Sequence, residues 1–245
     1  MKHELLRDDY SIEQAESLQK KYRKLVLNII DNNYINNLDF LKTIAGVDVS
    51  YYNKGDIEFG VVCAVLWSLE EEKMLTHQIV HNQVNFPYKP GFLGFRECKI
   101  LAMAILKLPC IPDVIMCDGH GKIHPKRFGE AVHLGVALDI PTLGVAKNPY
   151  IGYSNWREIK KIKGNRSPIW EENPNLVTEN LSNELLGYAI CLNNGLKPVF
   201  VSCGYKITIK SALKICILLA KGHRQPEPLY LADRLSRNDL KRFVS

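Results

Sequence analysis

The sequence predicts an α/β fold built on one mixed central sheet, an antiparallel meander beside parallel strands, flanked by helices. Two observations carry this expectation. Three apolar or alternating runs, 43–51, 60–67 and 75–84, follow one another with only the turn-like stretches 53–55 and 70–73 between them, so they fold back as a meander. Further on, two short all-apolar runs, Val114–Cys117 and Thr142–Ala146, bracket a helical stretch. Strand, helix and strand in that order imply a parallel pair joined by a right-handed crossover, buried on both faces.

The other elements follow in chain order. Ser11 and Gln14 form a capping box that opens a helix, whose apolar stripe is Leu18, Tyr22, Leu25, Val26, Ile29 and Ile30. After the meander, Pro87, Pro90, Gly91 and Gly94 mark a loop, 95–108 is helical, and Pro112 ends that segment. The crossover helix is predicted over 126–138. Residues 149–184 are polar, contain prolines and include the basic run REIKKIKGNR, which predicts surface excursions. A strand pair at 185–191 and 198–202, a helix over 210–220 and a short terminal helix complete the chain.

At 245 residues with 46% hydrophobic and 24% charged side chains, the chain suits one large core and is read as a single domain over 1–245. No apolar run nears the roughly 20 residues that cross a bilayer, and the mixed-charge start lacks the apolar stretch of a secretory signal, so a cytoplasmic protein with no membrane partner is expected. A monomer is the expectation. The excess of 32 Lys plus Arg over 26 Asp plus Glu, +6, favours anionic partners without demanding them. Seven cysteines, never spaced C-x-x-C, read as reduced core residues. Cys117, His120 and His124 have roughly zinc-like spacing, but no second ligand pair accompanies them.

Four residues occupy positions that a purely structural role explains poorly. Asp48 sits in a strand beside an apolar neighbour, where a carboxylate must be paired or hydrogen-bonded. Glu97 shares the buried stripe of Leu101, Ala104, Ile105 and Leu108, although a first-turn acid complementing the helix dipole would normally face water. Asp118 closes one parallel strand, where a turn former would also serve, and Lys147 closes the next. Ligands of open α/β sheets collect at that edge. Acids at costly positions beside a cation invite a divalent metal such as Mg²⁺, which completes its shell with phosphate oxygens and so points to phosphodiester chemistry.

The segments IAGVDVSYY, FPYKPGFLGFRE, DGHGKIHPKRFGEAVHLGVALDIPTLGVAKN and RQPEPLYLADRL, in this order from Ile44 to Arg234, resemble the endonuclease V family. The resemblance implies an RNase H-like fold, metal-binding acids at Asp48 and Asp118, an active-site Glu97 and a catalytic Lys147. It further implies recognition of inosine in DNA and hydrolysis of the second phosphodiester bond on its 3′ side, leaving 3′-hydroxyl and 5′-phosphate ends, with Mg²⁺ preferred and Mn²⁺ accepted. By the same resemblance Tyr88, stiffened between Pro87 and Pro90, is a wedge that opens the duplex at the lesion. Gly91, Gly119 and Gly121 would let backbone approach a flipped base and read it through their N–H groups.

Arg96, His120, Lys122, His124, Lys126 and Arg127 form a cluster fit for phosphate contacts. One departure stands out: many family members carry a histidine near the metal in a V-S-x-G-H run, and here the corresponding run ends in Tyr205. This leaves open a lesion-binding relative without turnover, or altered metal use. An inosine-specific endoribonuclease is a further alternative, because no residue pattern announces a 2′-hydroxyl contact. A Mg²⁺-dependent phosphatase of small molecules would use the same acids but leave the Tyr88 loop unexplained.

Overall fold

The computed structural model describes residues 1–27, 34–176 and 183–243. Its elements are α1 (Ile12–Leu27), β1 (Thr43–Lys54), β2 (Ile57–Ser68), β3 (Lys73–Gln83), α2 (Leu93–Ile105), β4 (Val114–Cys117), α3 (Glu130–Leu138), β5 (Thr142–Ala146), β6 (Arg166–Trp170), β7 (Leu185–Ile190), β8 (Val199–Tyr205), α4 (Ile209–Leu218) and α5 (Glu227–Leu240). The strands form one sheet in the order β3-β2-β1-β4-β5-β8-β7-β6. The meander is there, β1 pairing antiparallel with β2 from Thr43↔Ser68 to Lys54↔Ile57 and β2 antiparallel with β3. So is the parallel core, since β4 lies parallel to both β1 and β5.

Alternation along β1 divides the core. Ala45 and Val47 point to the side covered by α2 and α3, with Leu101, Ile105 and Leu134. Ile44 points the other way, toward Leu213 of α4 and Leu229 of α5. Gly46 shares that second face, and a Cβ built on it would lie 2.3 Å from the Pro228 carbonyl carbon. The missing side chain therefore lets the first turn of α5 press against β1, which decides where the residues further along α5 come to rest.

Several expectations need correction. The crossover helix starts at Glu130, not 126, because Arg127 takes φ +52° and Gly129 is extended. Within 149–184, β6 is a real strand on the sheet edge, bridged further by Tyr153 to Trp170. Its Pro168 hid it, since proline is admitted to edge strands that need no donor on one side. The terminal helix α5 is 14 residues long rather than short. The Ser11–Gln14 capping box is present, with Ser11 N donating to Gln14 Oε1 at 2.9 Å and Gln14 N to Ser11 Oγ at 3.3 Å. Leu25 of its predicted stripe is half exposed, and Ile29 and Ile30 lie outside the described residues. Among the described residues no helix is long and apolar enough to cross a membrane.

Candidate active site

The carboxyl ends of β4 and β5 carry Asp118 and Lys147, as the strand order predicts, and the flanking elements add acids to that edge. Asp48 projects from β1 on the α5 face, where Ser236 Oγ donates to its Oδ2 at 3.1 Å. Asp233, one turn earlier on α5, joins it. Carboxylate oxygens of Asp48, Asp118 and Asp233 all lie within 4.8 Å of one another. Lys147 Nζ donates to Asp118 Oδ2 at 2.6 Å and stands 3.5 Å from Asp233 Oδ1.

Asp233 is the residue that sequence reasoning missed. Its signal was present: Leu229, Ala232, Asp233 and Ser236 follow the i, i+3, i+4, i+7 spacing of a buried stripe, and Leu229, Ala232 and Ser236 are buried. Arg234 and Arg237 beside it gave the helix the look of a solvated surface.

Electrostatics bear on what this cluster can hold. Burial first, then the neighbouring charges of Asp118 and Asp233, push the Asp48 carboxyl up to about 8. Burial opposes the charge on Lys147, but Asp118, Asp233 and Asp48 outweigh it and hold its ammonium above the usual range. Three oxygen donors that repel one another, with one amine for partial relief, are a donor set suited to a hard divalent cation. On these grounds Asp48, Asp118 and Asp233 fit a metal.

Glu97 lines the same cavity, of about 460 Å³, and is 9% exposed. The Tyr51 hydroxyl donates to its Oε1. Burial raises its pKa, against hydrogen bonds from Tyr51 and Glu130 and the charge of Arg96. Glu130, 4% exposed at the start of α3, meets Glu97 carboxyl to carboxyl, a contact that requires one proton between them. Burial and then the Glu97 charge push the Glu130 pKa well above the carboxylate range. Its Oε2 lies where a Gly119 Cβ would be, 2.0 Å from the built position, so Gly119 is small to make room for Glu130.

Glu130 also forms part of the wall of a second cavity, of about 210 Å³, lined by Tyr88, Gly91, His120, His124 and Tyr150 among others. Tyr88 stands at its mouth, 73% exposed. Gly91, at φ +86°, offers its carbonyl to Gln19 Nε2 at 3.0 Å and to His124 Nε2 at 3.2 Å. Since Lys126 N donates to His124 Nδ1, the imidazole is neutral with its proton on Nε2, and burial pulls its pKa down to about 4. Burial does the same to His120, whose ring stacks on Tyr150.

The structure thus brings Asp48, Glu97, Asp118 and Lys147 into one cavity, and Tyr88, Gly91 and His124 into the next. Other sequence expectations are redirected. Gly121 donates its N–H to Ser202 Oγ at 2.9 Å, and a Cβ there would sit 1.9 Å from the Cys203 carbonyl oxygen; it packs the loop on β8 and has no free N–H for a base. Of the expected phosphate contacts, Arg96 is buried against Glu58 at 2.6 Å, and Arg127 pairs with Glu171 and, at 2.8 Å, with Glu184. The two neutral histidines supply no positive charge. Lys126 pairs with Glu16 on the surface, and Lys122 has no carboxylate partner among the described residues.

Tyr205 is not near the acids. Because β8 runs antiparallel to β5, its last residue pairs with Thr142 at the amino end of β5, the far edge of the sheet from Lys147. The Tyr205 hydroxyl donates to Asp139 Oδ1 at 2.9 Å. Tyr205→His is therefore expected to leave metal binding unchanged and to cost about 1 kcal/mol or more of stability, from the lost hydrogen bond together with the packing of the ring on the Phe128–Val132–Val136 cluster. A titration of melting temperature against Mg²⁺ or Mn²⁺ checks this; a shifted midpoint would contradict it.

Comparison with known proteins gives a consistent picture. The family profile of Endonuclease V matches residues 23–234. The Endonuclease V of Nostoc sp. (strain PCC 7120) is 34% identical over 228 residues, 93% of this chain and 95% of its own length. Among solved structures, Endonuclease V from Streptomyces avermitilis superposes with a TM-score of 0.80 at 32% identity, covering 96% of this chain and 95% of that one. Endonuclease V of Ciona intestinalis, solved with a 24mer DNA containing an inosine followed by a ribo-adenosine, gives a TM-score of 0.77 at 29% identity, covering 95% and 98%. The mixed sheet and its flanking helices are the RNase H-like arrangement that the sequence led us to expect.

Proposed function

Because the chain belongs to the endonuclease V family, a family of nucleases, we propose that it is a metal-dependent endonuclease directed to inosine in DNA and serving the repair of deaminated adenine. It hydrolyses the second phosphodiester bond 3′ to the lesion and leaves 3′-hydroxyl and 5′-phosphate ends. The observation that carries this reading is the pairing of two adjoining cavities. One is walled by Asp48, Asp118, Asp233 and Lys147, and the other is mouthed by an exposed Tyr88.

Asp48, Asp118 and Asp233 hold the cation, Mg²⁺ with Mn²⁺ as substitute. When bound it supplies Lewis-acid polarisation of the phosphate and a more acidic water. Lys147 keeps its proton on Nζ and stabilises the negative charge that grows on the phosphate oxygens during displacement. Glu97, held by Tyr51 and Glu130, presents a carboxylate at the cavity floor that can take a proton from water. Glu130 closes the wall between the two cavities and keeps Glu97 in place.

Tyr88 inserts at the weak inosine pair, where unstacking costs least of the few kcal/mol that such a wedge must supply. The displaced base enters the slot beside Tyr150 and His120, whose stacked rings offer it an aromatic face. Tyr88→Ala is expected to lower the preference for an inosine duplex over a matched one by about tenfold or more, at ~1.4 kcal/mol per tenfold, while weakening nonspecific binding little. Competition binding with the two duplexes checks this, and equal losses on both would reject the wedge.

The ribo-adenosine that follows inosine in the Ciona complex favours a second reading, in which the same site cuts inosine-containing RNA. Labelled strands carrying one inosine, as DNA duplex and as RNA, together with matched strands lacking it, separate the readings. Cleavage of the DNA lesion supports repair, cleavage confined to RNA moves the chemistry to RNA, and binding without cleavage of any strand overturns the nuclease.

A further inference from the structure

Cations at the β6–β8 end of the sheet play no part in either cavity. The run REIKKIKGNR folds into a loop fixed to the turn before β8: Gly195 N donates to Lys161 O, Lys163 N to Asn194 Oδ1 and Gly164 N to Cys191 O, each at 2.8 Å. This brings Lys160, Lys161 and Lys163 beside Lys197, all exposed, with Arg166 at the start of β6 next to them. The Arg166 guanidinium lies over the Tyr188 ring, 5.8 Å from its centroid, in a groove of about 360 Å³ that continues along α4 past Lys214 to Lys210. None of these seven cations has a carboxylate within ion-pair distance among the described residues, and Glu158 is the one acid in 156–166.

Their position relative to Lys147 gives the patch its meaning. Ala146 pairs with Phe200, Val199 with Ile190 and Ile190 with Arg166, so one edge of the sheet runs from the end of β5 to the start of β6. Arg224 ties that edge together, donating to the Lys147 carbonyl and, at 2.9 Å, to the Pro198 carbonyl beside Lys197. Three interstrand steps of ~4.8 Å place the basic loop about 14 Å from the Lys147 end of β5, on the same side of the molecule. That is about four base pairs of duplex at ~3.4 Å each.

We propose that the 160–163 loop, Lys197 and Arg166 form an extended phosphate track that holds the nucleic-acid backbone about four nucleotides beyond the cut, with the α4 groove as its continuation. The inference rests on the nuclease reading above. It differs from the predicted phosphate cluster at 96–127, whose two arginines the structure commits to buried pairs and whose Lys126 pairs with Glu16 on the surface. The occupant is a polyanion because seven unpaired cations face solvent with almost no acid to offset them, and the neighbouring site already requires a phosphodiester substrate.

A variant carrying Lys160→Gln, Lys161→Gln, Lys163→Gln and Lys197→Gln tests it. Wild type and variant are compared on a short inosine duplex with three base pairs on either side of the inosine and cut bond, and on a long one with twelve. On the long duplex the variant should bind about tenfold or more weakly at moderate salt, and the slope of log affinity against log salt should flatten by ~0.9 for each contact removed. On the short duplex, binding and single-turnover cleavage should match wild type. Unchanged affinity and slope on the long duplex would overturn the track, as would equal losses on both lengths. If wild type binds both duplexes but cuts neither, the nuclease reading fails, while the length dependence of binding still decides the track.

Discussion

Asp118→Asn is expected to reduce cleavage by far more than the ~10–100-fold that changes outside a metal's own ligands cost, and at the same time to make the metal-free protein more stable. Both effects have one origin. Asp118 contributes an oxygen to the cluster within 4.8 Å of Asp48 and Asp233, and it is the neighbour whose charge, after burial, does most to raise the Asp48 pKa. Removing its charge takes away one of the three oxygen donors proposed to hold the metal and relieves a repulsion.

The sign of the pH dependence follows. A carboxyl whose pKa rises from 3.8 unfolded to about 8 folded binds more protons in the folded state, so its stabilisation is complete below about pH 4 and is lost as pH rises through about 8. Buried His120, His124 and His133 act oppositely: their pKa values fall to about 4, so the unfolded state takes up protons first and stability falls as pH drops below about 6.5. In chelator, the melting temperature of wild type should therefore decline between about pH 6.5 and 8, and the decline should be shallower in Asp118→Asn. Saturating Mn²⁺ should raise the melting temperature of wild type and not of the variant. A variant that cuts well, or that retains the full Mn²⁺ shift, would remove Asp118 from the metal site.

Gly46→Ala should be nearly as damaging although residue 46 touches no acid. The added Cβ would meet the Pro228 carbonyl carbon at 2.3 Å and its oxygen at 2.5 Å, and because these are backbone atoms at the start of α5, no side chain can swing aside. Overpacking of this kind costs about 1–3 kcal/mol, and a backbone clash belongs at the upper end. The helix must shift, and Asp233 shifts with it. The expected result is a lowered melting temperature together with loss of the Mn²⁺-induced rise. A comparison variant such as Ala104→Gly, which opens a hole among the residues under α2, should lose stability but keep the metal response. If Gly46→Ala keeps it too, the close approach of α5 to β1 does not govern the acid cluster.

Much of this was legible in the sequence because burial and strand ends are written in periodicity. Asp48 and Glu97 betrayed themselves as acids on apolar stripes, and Asp118 and Lys147 as the residues closing two all-apolar strands. Asp233 obeyed the same helical rule but was masked by the charges around it on α5, and Glu130 carried no signal of its own, because only the fold starts α3 at that residue and sets it against Glu97. Tyr205 was misplaced for a topological reason: a motif at the end of a strand lies near the site only if that strand points toward it, and β8 runs the other way. The cations at 96–127 could not be told apart from free ones, because their partners Glu58, Glu171 and Glu184 are distant in sequence.

Single-turnover cleavage of an end-labelled duplex containing one deoxyinosine, followed across a Mg²⁺ titration from chelator upward and mapped to the nucleotide, tests the central claim most directly. The expected result is one product, cut one nucleotide beyond the inosine, whose rate rises from zero with Mg²⁺ and which a matched adenine duplex does not yield. Cleavage that persists in chelator, or that proceeds equally on the matched duplex, would contradict a metal site of Asp48, Asp118 and Asp233 working beside an inosine pocket.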